Sequence, residues 1–397
     1  MDKSPHFLEI IGCGVFLRFI IFKKGNRTYQ KLLVYLTWMG AVNMSGIQEN
    51  KKNQWMIYTG SYAEETSAGI HLFKLNVKEK KLDLVEKYTG IENPSFLVIN
   101  KDQTHLYAVS EVEYGMVVSY AINRQSEQIR ELNRKSTNGM APCYVSLCEK
   151  ESCLYISNYG GTVTRIELQE DGSLGEHTTT NEHVGSGVWA DRQDAAHAHS
   201  IVPVPNSSVV VAADLGTDKI YVYDDKDFAN LAEMSTIPGS GPRHFAFHPT
   251  LPIMYVIQEL SNTIAVFELN EQHIPDSLLG VVTTLPDDYK EENTAADLHI
   301  SEDGQFLYAS NRGHDSIATY KITETGIPEI IAFTHTEGQG PRNFELIDEE
   351  KVLIAANEQS DSLVLFEINI EGIPTYTGNT ISLSKPVCVQ AIVRNQE

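Results

Sequence analysis

Positive charge is scarce in this sequence. Lys and Arg number 31 against 53 Asp and Glu, for a net charge of −22. That balance excludes a nucleic-acid partner and an anionic membrane surface as principal ligands. The acids are spread along the chain, so they read as a solvated surface. Cysteine is also sparse. The five residues Cys13, Cys143, Cys148, Cys153 and Cys388 are odd in number and lack a disulfide-framework spacing. They are expected to be reduced thiols in a cytoplasmic protein. No tight CxxC pair turns Cys143, Cys148 and Cys153 into a ligand set, and neither metal nor cofactor is expected. Walker, dinucleotide-glycine, HExxH and nucleophile-elbow motifs are absent.

Long apolar runs are missing too. PHFLEIIGCGVFLRFIIFKK, near the start, is broken by Glu9 and Arg18. KLLVYLTWMGAV follows after a basic break, and neither stretch makes a clean membrane span or a cleavable signal. Residues 1–53 are expected to be an extension that packs poorly, or the result of a start set upstream of Met44 or Met56.

What the chain does have is a repeat. ADLHISEDGQFLYASNRGHDSIATYKI, from Ala296 to Ile322, alternates strand and turn three times. Related segments begin at Pro94, Pro142, His199, Arg243 and Arg342. The period of about 45–55 residues is that of propeller blades. WMIYTGSY near Trp55 lacks a preceding first strand, and PVCVQAIV at Pro386–Val393 lacks anything after it. Two half-repeats make one blade. The expected fold is all-β: a seven-bladed propeller of four-stranded antiparallel blades over residues 54–397, closed by strands from both termini.

In a propeller, first-strand starts and second-strand ends converge on one mouth. First-strand starts supply His197, His199, Arg243, His244, Asp297, His299, Arg342 and Asn343. Second-strand ends supply Asn158, Asp214, Gln258, Glu259, Asn311, Arg312, Asn357 and Glu358. Three arginines at one mouth of an acidic chain point to an anion, because guanidinium binds carboxylate or phosphate with paired hydrogen bonds. Histidines and a carboxylate beside them are general acid–base parts. His197 and His199 are two apart and should share a strand face, but a metal would need a third ligand that is not evident. Plainer roles exist for each residue: histidines bonding neighbouring blades, Gly-Pro-Arg segments as linking turns, Glu259 as a loop acid. Asp218, Asn262, Asp315 and Asp361 recur at one turn position and read as turn formers.

Taken together, TGSY…SAGIHLFKL (Thr59), SNYGGTV (Ser157), AHAHS (Ala196), GSGPRHFAFHP (Gly239) and GQGPRNFEL (Gly338) resemble the seven-bladed propeller lactonases of the bacterial 6-phosphogluconolactonase type. The resemblance runs from about Gln54 to the C-terminus. It implies hydrolysis of 6-phosphoglucono-δ-lactone to 6-phosphogluconate in the pentose phosphate route. A related branch resembles carboxy-muconate lactonising enzymes. That branch's important His, Arg, Glu and Arg fall near His197 or His199, Arg243, Glu259 and Arg312. Asp297 departs from the family, which more often has Glu there. On this reading Glu259, His197 or His199 deprotonates water, Arg243 stabilises the oxyanion, and Arg342 or Arg312 holds the phosphate. His244, Asp297 and His299 complete the substrate surface. The expected partner is a small anionic sugar lactone, without nucleic acid or membrane. Another anionic lactone, such as a carboxy-muconolactone, and a non-enzymatic binding propeller remain open as alternatives.

Overall fold

A computed structural model of the chain describes residues 6–12, 15–24, 27–33, 54–148 and 150–394. The strands His6–Gly12, Val15–Lys24 and Arg27–Leu33 pair as an antiparallel meander. How residues 1–53 pack lies outside what is described.

From Gln54 onward the strands form seven four-stranded antiparallel sheets. Blade 1 joins Pro386–Arg394 to Gln54–Ser61, Ile70–Asn76 and Lys81–Tyr88. Blades 2 to 7 begin with first strands at Leu97, Pro142, Ala198, Pro242, Thr294 and Pro341. The first strands neighbour one another in ring order, and the strand at Pro386 meets that at Leu97. Ring closure is as expected: Val389 pairs with Thr59, and Val393 with Trp55.

The core is divided among the joints. Seven apolar clusters are present among the described residues, one between each pair of adjacent blades. Second strands read as continuous apolar runs because sheets cover both of their faces. Tyrosines in these strands stitch the joints. The hydroxyls of Tyr107, Tyr255 and Tyr308 donate to the carbonyls of Gly172, Gly326 and Gly372 in the next blade, at 3.0, 2.8 and 2.9 Å.

The start of each first strand carries one irregularity that decides the site. Pairing with the second strand slips by one residue there in six of the seven blades. In five, the extra residue is Cys143, His199, Arg243, Arg342 or Val387. In blade 6, Ala296 and Asp297 together face the single Ser310. A bulge of this kind turns two successive side chains toward the same side. So Arg243 and His244, adjacent in sequence, both face the channel.

The closing strand feeds both joints of blade 1. Cys388 and Ile392 belong to one cluster and Val389 to the other. Each such side chain contributes about 1.5–3 kcal/mol by burial. A chain ending at Lys385 is therefore expected to lose its cooperative urea transition, followed by circular dichroism. A transition with an unchanged midpoint would contradict this closure.

Candidate active site

Two sets of side chains meet at one mouth. The bulges supply Cys143, His199, Arg243 and Arg342. The residues at or just past the second-strand ends supply Glu111, Tyr159, Glu259, Arg312 and Glu358. Most of the latter are set by one repeated bond: the amide donates to the carbonyl just before its own blade's first strand. Tyr159 to Ala141, Glu259 to Gly241 and Glu358 to Gly340 span 2.9, 2.7 and 2.9 Å.

The entry turns are pinned by the recurring turn residues. Asp218, Asp315 and Asp361 hold φ of 54°, 52° and 51°. They are also staples. Asp218 accepts from the Gly239 and Gly241 amides (2.6 and 2.8 Å), and Asp315 from the Gly340 amide (2.8 Å). Gly241 and Gly340 hold φ of 63° and 67°, a region that favours glycine. That geometry delivers Pro242-Arg243 and Pro341-Arg342 to the channel.

A cavity of about 170 Å³ is lined by Glu111, Cys143, Tyr159, Arg192, His199, Glu259, Arg312 and Arg342. Below it a recess of about 10 Å³ shares Glu111, Cys143 and Arg342 and adds Arg243, His244 and Asn343. Above it a basin of about 760 Å³ shares Arg192 and Arg312 and adds Trp189 and Glu358.

Glu259 ties the arginines together. It is 3 % exposed. Its Oε2 lies 3.0 Å from Arg243 Nε and 2.8 Å from an Arg312 terminal nitrogen, and its Oε1 lies 2.5 Å from Arg192. Burial alone would raise its pKa, but Arg312, Arg243, His199 and Arg192 hold it well below the ordinary carboxylate value. Burial, then Arg312 and Arg342, lowers Arg243 to about 10, so it stays charged at neutrality. Arg342 is held differently. Its guanidinium lies 5.6 Å from the centre of the Tyr62 ring, and the Tyr62 hydroxyl donates to Glu111 (3.1 Å). Among the described residues no carboxylate lies within ion-pair distance of Arg342.

The histidines separate. His199 lines the cavity, is 3 % exposed, and its Nδ1 has no hydrogen-bond partner. Burial, then Arg243 and His244, holds it well below the ordinary imidazole value, so it is neutral. His197 is not beside it. The strand starts at Ala198 and bulges at once, which breaks the alternation that would have put both rings on one face. His197 instead stacks on Tyr159 (4.4 Å), donates to the Tyr159 carbonyl (2.9 Å) and faces Asp194.

Beneath the recess, His244 Nδ1–H donates to Asp297 Oδ1 (2.8 Å), and its Nε2 faces Arg243 (3.1 Å). Burial, then Arg243, lowers His244 to about 4. Asp297 Oδ2 accepts from His299 Nε2 (3.0 Å) and from the Asn343 amide (2.5 Å). Burial would raise Asp297, but His299 and His244 hold it well down. Burial pushes His299 down, yet Asp297 outweighs it and the net shift is upward.

Asn158, Asn311 and Asn357 serve structure: fully buried, their amide groups bond Thr162, Thr284 and Thr336. Asp214 accepts from His183 (2.6 Å) and the His197 and Thr217 amides. Gln258 accepts from Thr263. Sequence reasoning missed Tyr62, Glu111, Cys143, Tyr159 and Arg192. Four of them occupy the same repeat positions as residues it did select, so aligning the repeats could have found them. Arg192 lies in the loop between blades 3 and 4, where no repeat points to it.

Three guanidiniums, two carboxylates and a neutral imidazole thus line one cavity at the mouth of a seven-bladed propeller. The sequence profile described as "Lactonase, 7-bladed beta-propeller" matches residues 56–391. The chain is 36% identical over 339 residues to the 6-phosphogluconolactonase of Bacillus subtilis, covering 84% of this chain and 97% of that one. It superposes on the periplasmic gluconolactonase of Pseudomonas aeruginosa with TM-score 0.80 at 26% identity, covering 85% and 99%. A Lactobacillus plantarum protein gives TM-score 0.80 at 30% identity, covering 85% and 99%. The chain belongs to the seven-bladed β-propeller lactonase family.

Two outcomes follow from the buried charges. Glu259→Gln leaves Arg243 buried without its counter-charge and should destabilise by about 3–5 kcal/mol in urea unfolding. An unchanged midpoint would show that Glu259 is not the clamp. Secondly, His199 and His244 titrate near 6.5 when unfolded but lower when folded. As pH falls through 6.5 the unfolded state binds protons that the folded state refuses, so stability drops. For His244 the loss runs from about 6.5 to 4; Glu259 and Asp297 add further loss below their ordinary values, whereas His299 and the buried Glu345, raised to about 7, oppose it. The drop in urea midpoint between pH 7 and 4 attributable to His244 should disappear in His244→Asn, leaving that variant's midpoint less lowered at pH 4 relative to pH 7 than in the unsubstituted protein.

Proposed function

We propose that this protein hydrolyses an anionic sugar lactone, 6-phosphoglucono-δ-lactone, to the open 6-phosphogluconate. The observation that carries the reading is Arg342. It faces both cavity and recess with no carboxylate in ion-pair range among the described residues, and His199 opens onto the same cavity. The lactone carbonyl oxygen points into the recess between Arg243 and Arg342, which has room for about one water-sized group. Water attacks the carbonyl carbon, and neutral His199 takes its proton. The tetrahedral oxyanion is stabilised by the two guanidiniums. The ring C–O bond then breaks, His199 returns the proton to the leaving oxygen, and the new carboxylic acid ionises to solvent. Arg312 and Arg192, toward the basin, hold the phosphate.

Glu259 is assigned to positioning, because its oxygens are taken by three guanidiniums, whereas His199 keeps a ring nitrogen without a partner. Cys143 is not assigned as nucleophile, since burial pushes its thiol up. Residues 54–397 are taken as the catalytic unit and residues 1–53 as an appendage. The four described cysteines are free thiols, which supports a cytoplasmic setting. The acidity of the chain supports neither nucleic acid nor membrane as partner.

The test is a coupled assay on freshly made 6-phosphogluconolactone, corrected for spontaneous opening, run beside a carboxy-muconolactone. Arg342→Ala should lower kcat by about 2.7–4 kcal/mol of transition-state stabilisation. Lysine should rescue it poorly, since it lacks the planar fork. Arg192→Ala should mainly raise KM. Wild-type kinetics in both variants, or turnover of the muconolactone alone, would remove this assignment.

A further inference from the structure

A second set of reactive side chains lies away from the pocket, where blades 3 and 4 meet. Cys148 follows the first strand of blade 3, which ends at Leu147, and Cys153 begins the second, so their hairpin is on the face opposite the mouth. Cys148 N–H donates to the Cys153 carbonyl (3.0 Å), and Cys153 N–H to Cys148 Sγ (3.2 Å). Both side chains are buried, at 3 % and 1 % exposure. Asp225 follows the third strand of blade 4. Its backbone is fixed by an amide bond to the Ser208 carbonyl (2.8 Å). The two Sγ atoms and an Asp225 carboxylate oxygen all lie within 4.8 Å of one another.

We propose that Cys148, Cys153 and Asp225 form a binding site for a borderline-soft divalent cation of the zinc class. Two thiolates and one carboxylate are a zinc-type donor set. With zinc–sulfur bonds of about 2.3 Å, tetrahedral geometry asks for a sulfur–sulfur separation of about 3.8 Å. The observed spacing reaches this with a shift of about 1 Å or less.

Two further features suit a metal better than ordinary core packing. At three other joints the second-strand tyrosine ends on a backbone carbonyl of the next blade. Here Tyr155 also donates to the Asp225 carboxylate. Such a hydrogen bond orients a carboxylate ligand. Arg165, paired across the strands with Tyr155, buries an Nε with no hydrogen-bond partner. Its terminal nitrogen pairs with Glu167 (3.4 Å), so only part of its positive charge is left to offset the net negative charge the cluster would carry once both thiols bind metal. A purely apolar packing role for the cysteines needs neither feature. Spacing along the sequence offered Cys148 and Cys153 but no third ligand, because Asp225 is 72 positions beyond Cys153 and only the blade repeat brings it back.

The experiment uses the full chain, reduced and freed of metal, with Zn²⁺ alone as probe. Metal content is measured after desalting, and affinity by competition with a chromophoric chelator. Wild type should retain one Zn²⁺ per chain. Cys148→Ser and Asp225→Asn should bind at least about tenfold more weakly, and Tyr155→Phe about ten- to hundredfold more weakly. Cys143→Ser should bind as wild type does. Metal-free melting curves show that each variant is folded; Asp225→Asn keeps the side-chain shape and an oxygen for Tyr155. Failure of the wild type to bind, equal affinity across the variants, or isolation of a Cys148–Cys153 disulfide that Zn²⁺ does not prevent would overturn the assignment.

Discussion

The pocket depends on one buried carboxylate. Glu259 meets guanidiniums from blade 5, blade 6 and the loop before blade 4. Three like charges this close repel, and each loses hydration on burial. A shared counter-charge makes their convergence affordable and fixes their directions before any ligand arrives. It also leaves the group net positive inside a strongly acidic protein. On the proposed reading, an incoming anion meets a surplus that does not have to be assembled around it. The same clamp removes Glu259 from acid–base work, since three guanidiniums stabilise its ionised form. In the proposed mechanism proton transfer passes instead to His199, which lines the same cavity as a neutral imidazole with an unpartnered ring nitrogen.

The clamp can form because the blades present their side chains reproducibly. Bulges aim the second residue of the first strands into the channel, and left-handed aspartates hold the glycine turns that precede two of them. Tyrosine hydroxyls bridge neighbouring blades. None of these contributions is large alone, since a net hydrogen bond is worth about 0.5–1.5 kcal/mol. Repetition around a closed ring is what turns them into a rigid mouth.

The sequence carried the fold well, for a physical reason. A repeat displays its period, and two incomplete units at the ends say where the ring closes. The site was only half visible. Arg243, Arg312, Arg342 and Glu259 stood out because their residue types are unusual at recurring positions. Tyr62 and Glu111 stood at the same positions with ordinary residue types, so only their place in the repeat marked them. His197 and His199 looked equivalent under the two-residue strand period. One inserted residue was enough to separate them, and bulges leave little trace in composition. Arg192 belongs to a loop, where geometry follows from local contacts such as Gln193 bonding the Val188 amide (3.0 Å) and the Leu215 carbonyl (2.8 Å).

Asp297 shows how much a single shortened side chain can leave intact. An aspartate ends one methylene earlier than a glutamate would, and Asp297 lines neither the cavity nor the recess. Its carboxylate lies a layer below them. There it accepts from His244 toward the recess and from His299 deeper in the channel, at 2.8 and 3.0 Å. The two imidazoles are pushed in opposite directions, His244 down and His299 up. The difference follows from their neighbours. His244 sits against the Arg243 charge, whereas His299 has Asp297 and Glu345 near it. Glu345 itself is raised by burial to about 7. A positive upper layer therefore rests on a lower layer that can accept protons, and the boundary between them is the Asp297 carboxylate. Moving that carboxylate upward would place it nearer Arg243 and Arg342 and offset part of the surplus positive charge that the proposed anion binding uses. Where it lies it pulls His244 toward the protonated form, and burial with the Arg243 charge outweighs that pull and keeps the imidazole neutral.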